Sequence, residues 1–343
     1  MDLQALCEIN GASGNEEKVR EWIQNRVQGM ADHLTQDPVG NLVATKRGKN
    51  PAGKSLLVMA HMDEVGLMVT GYEEDGRLSV MPVGGVDPRV LPGKKVVVGK
   101  DALPGVIGYK AIHLQREDFS TPPKWENIRV EMGFGKKEDC KKKVKIGDYV
   151  HFYSPFEELP RRFLGKAFDD RGGCALLIHA LEKMSPVDYD VHFAFVVQEE
   201  IGLRGSGAVL KQFRPTCALI VEGTTAGDNP ELEKARWSTI LDQGPAISYL
   251  QGGYALDTRL LDVILGTARE HAIPFQMKGR TVGGTDASRL ARTYSGIPGG
   301  GINIPSRYIH SPASVISKKD YENTGKLLLA LVQNKKYLDV MEG

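Results

Sequence analysis

The ten residues Ser55–Glu64 read SLLVMAHMDE, an apolar run followed at once by a histidine and two acids. A strand that is apolar on both faces belongs inside a sheet covered by helices on either side. Ligands commonly gather outside the carboxyl ends of strands in such sheets. His61 and Asp63 therefore stand where chemistry would be placed. Residues two apart share a face of an extended chain, so Asp63 can orient the imidazole while its other nitrogen meets a metal. Taken alone, His-x-Asp also fits a polar surface turn.

Working outward, Ser13 and Glu16 have capping-box spacing, and EEKVREWIQNRV places Val19, Trp22, Ile23 and Val27 on one helical face. Asn41 to Thr45 also reads as a strand. From Gly66 to Arg162 the texture changes: short β-rich runs (GLMVTGY, KKVVVG, GVIGYK, GDYVHFYS) alternate with Gly and Pro turns. That pattern predicts a small all-β module, with REDFSTPPKWEN as an exposed loop and KKEDCKKKVK as a solvated charge run. After Phe163 the α/β pattern resumes. A helix is expected over Gly172 to Met184, strands over Val191 to Val197 and Ala218 to Val221, and helices over Leu256 to His271 and Tyr321 to Lys335. The expected fold class is thus α/β: a mixed sheet flanked by helices (1–66 and 163–343), interrupted by a β-rich insert (67–162).

Further acids and a histidine recur at predicted strand and loop ends. Asp169 and Asp170 follow GKAF and precede RGG just before a helix. An N-cap with a surface Asp–Arg pair would explain them, but one carboxylate can also bridge two cations through its two oxygens. Glu199 and Glu200 close VHFAFVVQ, and adjacent residues in extended chain point different ways. One can bind a metal while its neighbour faces a water. Glu222 ends CALIVE in the same manner, and His310 lies in NIPSRYIHSP between two backbone-restricting prolines. Each has an ordinary structural explanation. Together they offer the imidazole and carboxylate chemistry of zinc, cobalt or manganese sites.

Composition sets the remaining bounds. The 343 residues, 41% apolar and 25% charged, suit a globular protein of about two domains. Lys plus Arg total 44 against 43 acids, so no overall field favours nucleic acid or an anionic membrane. No run is long and apolar enough to span a bilayer, and the acidic opening does not read as a signal peptide. Cys7, Cys140, Cys174 and Cys217 lack CxxC spacing, which suits buried thiols in a reducing cytoplasm.

The motifs AHMDEVG, GKAFDDRGG, VVQEEIGLRG, VGGTDA and IPSRYIHSP, in this order, resemble those of the glutamyl and tetrahedral (TET) aminopeptidase family of dinuclear metallopeptidases. The resemblance covers nearly the whole chain. It implies two divalent metal ions, with zinc or cobalt leading. Asp169 would bridge them, joined to Asp170 by a cis peptide, with His61 and Glu222 completing one metal and Glu200 and His310 the other. Glu199 would be the general base. One departure is Glu222, where this family commonly has Asp. The resemblance further implies peptide substrates with free amino termini and an insert that serves dimerisation within hollow tetrahedral dodecamers. A related deacylase or carboxypeptidase, using the same metal centre with another substrate anchor, is the alternative enzyme class. A scaffold without metals would be expected to lack a ligand or the base. The endoglucanase label sometimes attached to such proteins does not suit paired metals, since typical glycosidases use two flanking carboxylates.

Overall fold

The computed structural model describes residues 1–114, 122–229, 233, 237–251, 253–279 and 283–339. Helix formation begins earlier than the sequence reading had it. Helix α1 (Asp2–Glu8) buries Leu3, Leu6 and Cys7. Helix α2 (Glu17–Val27) buries Val19, Ile23 and Val27, with Trp22 half-buried against the same core. The apolar face is the expected one, but the capping box does not form. Ser13 Oγ instead donates to Asp63 Oδ2 at 2.5 Å, and Glu16 accepts from the main-chain N–H groups of Gly14 and Gln198. Both polar side chains are drawn toward the strand ends.

Strands β1 (His33–Gln36), β2 (Leu42–Lys46) and β3 (Ser55–His61) begin the main sheet. The chain then forms a closed barrel from β4 (Gly66–Tyr72), β5 (Leu78–Val83), β6 (Lys95–Val98), β7 (Leu103–Gly108), β8 (Arg129–Glu131) and β9 (Tyr149–Phe152). Alternate residues such as Leu67, Val69, Val96 and Val98 fill its own core. The charge run contributes more than a solvated face. It forms α3 (Lys137–Lys141), and Cys140 and Val144 enter the barrel core while its lysines stay largely in solvent. Residues 116–121 of the expected REDFSTPPKWEN loop lie outside the described residues.

The chain returns through β10 (Glu157–Glu158) and β11 (Arg162–Gly165) to the edge of the main sheet, before α4 (Phe168–Lys183), β12 (Asp190–Val196), α5 (Ser206–Phe213) and β13 (Cys217–Thr225). There follow β14 (Ala246–Ile247), a hairpin of β15 (Leu250–Gln251) and β16 (Tyr254–Ala255), α6 (Thr258–Glu270), β17 (Gln276–Met277) and α7 (Ala287–Leu290). Strands β18 (Gly299–Arg307) and β19 (Ser314–Ser317) and helix α8 (Lys318–Val332) complete the domain.

The sheet runs β1-β2-β12-β3-β13-β18-β19-β11-β10. Its centre, β12-β3-β13-β18, is parallel and the other pairs along this path are antiparallel, while off the path β14 pairs antiparallel with β18 and parallel with β17. Every residue of β3 is buried. Leu56, Val58 and Ala60 pack with α1, α2, α4, α6 and α8, while Leu57 and Met59 pack with α5 and α7. That alternation shows helices on both faces. Four parallel strands also finish at one end, bringing His61, the turn after Val196, Glu222 and the loop after Arg307 together. Among the described residues no helix is long and apolar enough to cross a membrane, and the four cysteines are buried and form no disulfide.

Candidate metal centre

His61, the last residue of β3, is buried, and its Nδ1 lies 3.1 Å from the main-chain oxygen of Asp63. A carbonyl only accepts, so Nδ1 carries the proton and donates. The other nitrogen, Nε2, faces Asp169 Oδ1 at 3.3 Å. His310 repeats the arrangement from the opposite wall. Its Nδ1 donates to Gly85 O at 3.2 Å, while Nε2 stands 3.4 Å from Asp169 Oδ2 and 3.1 Å from Glu200 Oε1. The two oxygens of Asp169 thus face two different imidazoles.

The local chain is shaped to allow this. Asp169 and Asp170 depart from helical geometry at the start of α4 and are joined by a cis peptide. The Asp170 carboxylate accepts from His61 N and Gly173 N, which fixes α4 against the end of β3. Arg171 makes no surface pair with these acids. It is fully buried and donates to the carbonyls of Leu6, Ile9, Gly11 and Met62. Gly223, directly after Glu222, leaves space for Asp169; a Cβ there would stand 2.8 Å from it.

The Asp63 carboxylate does most of its work on the neighbouring turn. It accepts from Glu199 N at 3.0 Å and Glu200 N at 3.1 Å, besides Ser13 Oγ, while its Oδ1 lies 3.4 Å from His61 Nδ1. Gln198 takes a left-handed φ of 56°, which starts the turn that aims the two glutamates. Glu199 and Glu222 come close enough to His61 for one cation to touch all three, with candidate atoms within 4.8 Å of one another. His61, Asp169 and Glu200 form a second such group. The site therefore gathers His61, Asp169, Glu199, Glu200, Glu222 and His310, with Asp63 behind them.

This cluster is poorly satisfied by the protein itself. His61 Nε2, Asp169 Oδ1, Glu200 Oε1 and Glu222 Oε2 are buried without a hydrogen-bond partner, and such atoms are costly unless something completes them. Burial, with the charges of Glu199 and Asp169, pushes Glu222 well above the usual carboxylate range. Burial likewise raises Glu200, and burial with Asp286, Glu200 and Asp169 pushes Glu199 up to about 9. Asp169 behaves otherwise: burial opposes its charge, yet His310 and His61 hold it low. His310 is pushed up to about 11 against the effect of burial, by Asp169 and Glu200. Crowded acids around two Nε2 atoms that face them form a donor set that fits divalent cations.

Three nearby residues are not candidates on sequence alone. Lys278 lines the cavity that contains the cluster, and Asp286 lies buried close enough to raise Glu199. Lys166 forms a buried ion pair with Glu64 behind the site. Asp286 stands in the VGGTDA motif, whose order in the chain was visible while its burial was not.

Residues 40–327 match the profile of the family described as M42 glutamyl aminopeptidase. A putative aminopeptidase of Acetivibrio thermocellus is 33% identical over 96% of this chain and 97% of its own length. The lysyl aminopeptidase of Pyrococcus furiosus is 30% identical (98% and 97% covered), and the glutamyl aminopeptidase of Lactococcus lactis 28% (96% and 94%). Among solved structures, one from Thermotoga maritima described as an endoglucanase superposes with a TM-score of 0.83 at 48% identity, covering 99% of both chains. The TET1 peptidase of Pyrococcus horikoshii, described as assembling into a tetrahedron or a large octahedral shell, gives 0.84 at 30% identity over 96% and 98%.

Proposed function

The chain belongs to the M42 glutamyl aminopeptidase family and is a peptide hydrolase, and from that premise we propose that it removes amino-terminal residues using a pair of divalent metal ions. The observation that carries the reading is Asp169, whose two oxygens face His61 and His310 separately. In this reading Asp169 would be common to both ions, with His61 and Glu222 helping to hold one and Glu200 and His310 the other. Zinc and cobalt suit the donor set best. Two such ions would polarise the scissile carbonyl, acidify a water and supply the opposite charge that lets the crowded carboxylates ionise.

The chain's own groups do the rest. Glu199, held through its main-chain N–H by Asp63, accepts a proton from the attacking water and passes it to the departing amine. His61 and His310 keep their Nε2 lone pairs directed inward because Nδ1 of each donates to a carbonyl. The acids also concentrate negative charge where a substrate's free ammonium would be drawn, which favours unblocked peptides. The endoglucanase description of one neighbour finds little support in this cluster, where acids and imidazoles converge rather than two carboxylates flanking a sugar bond.

The same reading extends to assembly and location. The barrel acts as a dimerisation module in a dodecamer, supported by the TET1 assemblies and by exposed apolar residues on it, including Met81, Val106, Ile146 and Tyr153. A cytoplasmic setting accords with four buried cysteines that form no disulfide. The deciding experiment pairs a peptide bearing a free amino terminus with its acetylated counterpart, followed by mass spectrometry, alongside elemental analysis of the purified protein. Stepwise trimming of the free peptide alone, with about two ions per chain, is expected. Internal cleavage of the blocked peptide, or full activity without metal, overturns the assignment.

A further inference from the structure

The cavity at the candidate metal centre has a neighbour. The first, of about 510 Å³, has Asp169, Glu199, Glu200 and Glu222 in its lining. A second, of about 690 Å³, lies between the barrel loop 84–94 and the loop after β18. Gly85, Ile309 and His310 line both, so the two cavities meet beside His310. Val90, Pro92, Ile309 and Pro312 give the second cavity apolar walls, while Arg89 and Lys94 bring positive charge to it. Among the described residues lining it, Asp87 is the one acid, and it is already engaged. Its carboxylate accepts from Arg89 N at 2.9 Å and pairs with the Arg89 guanidinium at 2.5 Å. Lys94 differs. Its main-chain oxygen accepts from Ile107 N at 2.9 Å, which fixes it against β7, and its exposed ammonium has neither an ion pair nor a hydrogen bond among the described residues.

An enzyme that cuts after the first residue holds that residue on one side of its metals and must seat the rest of the peptide on another. The acids of the first cavity draw the free ammonium. The part of the peptide beyond the scissile bond carries its carboxyl end, so an adjoining cavity with apolar walls and an unpaired cation complements it. A lysine or arginine side chain in the same place would meet like charge. We propose that the second cavity seats the residues that follow the scissile bond, and that Lys94 reads a carboxylate on them. That carboxylate is either the chain's own terminus in a short peptide or an Asp or Glu side chain. The inference rests on the aminopeptidase reading of the metal centre. The barrel then takes part in substrate choice as well as in assembly.

Two peptide pairs separate the sources. Leu-Ala-Ala as the free acid is compared with its carboxyl-terminal amide, and Leu-Asp-Ala amide with Leu-Asn-Ala amide. Values of kcat/KM are measured for the wild type, Lys94→Met and Lys94→Glu, with metal content determined for each. Leu para-nitroanilide, which carries no carboxylate, divides out any general loss of activity. The wild type is expected to favour the charged member of at least one pair, the first pair marking the terminus and the second the side chain. Lys94→Met should lower that preference about two- to fivefold, the size expected of an exposed ion pair, and raised ionic strength should shrink it in the wild type. Lys94→Glu should turn it toward the uncharged member. Equal values within both pairs for the wild type, or a preference that neither variant changes, overturn the proposal. Failure of the wild type on every unblocked peptide and on the anilide instead overturns the aminopeptidase reading beneath it.

Discussion

His310 Nδ1 lies 3.2 Å from the main-chain oxygen of Gly85, so a residue just beyond barrel strand β5 holds the orientation of an imidazole in the candidate metal centre. The contact leaves little room, because a Cβ on Gly85 would stand 3.2 Å from that same nitrogen. Gly85→Ala is therefore expected to push the ring by a few tenths of an ångström without altering any candidate ligand. Loss of such orienting contacts typically weakens metal affinity about 10- to 100-fold. Titration of the metal-depleted variant with zinc or cobalt checks this, and wild-type affinity would show that the barrel does not set the ring.

A second tie between barrel and sheet is the buried pair Lys166–Glu64, with Nζ 2.6 Å from Oε1 and 2.8 Å from Oε2. Glu64 precedes the first barrel strand and Lys166 directly follows β11, so the pair closes the neck between the two parts. Removing Lys166 leaves the buried Glu64 carboxylate with Arg171 Nη2, 3.8 Å away, as its nearest cation, and breaking such a buried pair costs about 3–5 kcal/mol. Lys166→Met should lose about that much in denaturant unfolding, and adding Glu64→Gln should recover a large part. A double variant no more stable than the single one would mean that the two charges are not coupled.

The sequence displayed the site better than it displayed its supports. SLLVMAHMDE, VVQEE, CALIVE and YIHSP each end an apolar run on a titratable residue, and parallel pairing brings those ends together. Period and strand-end position are local signals, so they survive in the sequence. Ser13 and Glu16 show the opposite case. Their spacing mimics a capping box, yet both serve contacts made by residues 50 and more positions away, Asp63 and Gln198. Arg171, which the sequence offers as half of a surface pair with its neighbouring acids, is buried, and Lys278 gives no local sign that it faces the cavity, because both placements depend on distant strands. The lysine-rich stretch around Cys140 misled for a related reason: two apolar residues among many charges were enough to plug the barrel.

Stability should also fall in mild acid through His192. This ring is buried, its Nδ1 lies 2.9 Å from Thr45 Oγ1, and burial lowers its pKa from 6.5 to about 4. Because the folded value is depressed, the unfolded chain takes up the proton first. The contribution is complete above pH 6.5 and is lost as pH falls toward 4. The slope from this residue alone is about 1.4 kcal/mol per pH unit within that window. Denaturant midpoints measured across it should fall more steeply for the wild type than for His192→Gln, and parallel profiles would exclude the histidine.

The adjacent glutamates give the sharpest test of the site, because their carboxylates are assigned different tasks from one turn. Asp63 holds both main-chain N–H groups, so replacing either side chain leaves that support intact. Glu200 Oε1 lies 3.1 Å from His310 Nε2 and belongs with Asp169 and His61 in one candidate cation group. Glu200→Gln should therefore weaken metal binding itself, with part of the activity returning when metal is added in excess. Glu199 is the harder case, since it also lies within reach of a cation shared with His61 and Glu222. If it acts as the base, Glu199→Gln keeps the volume and most of the metal but removes the proton acceptor, lowering the rate about 10²–10⁴-fold. Metal content and kcat measured together separate the roles. Metal lost from Glu199→Gln and retained in Glu200→Gln would exchange the two assignments, and full activity in Glu199→Gln would remove Glu199 from the chemistry altogether.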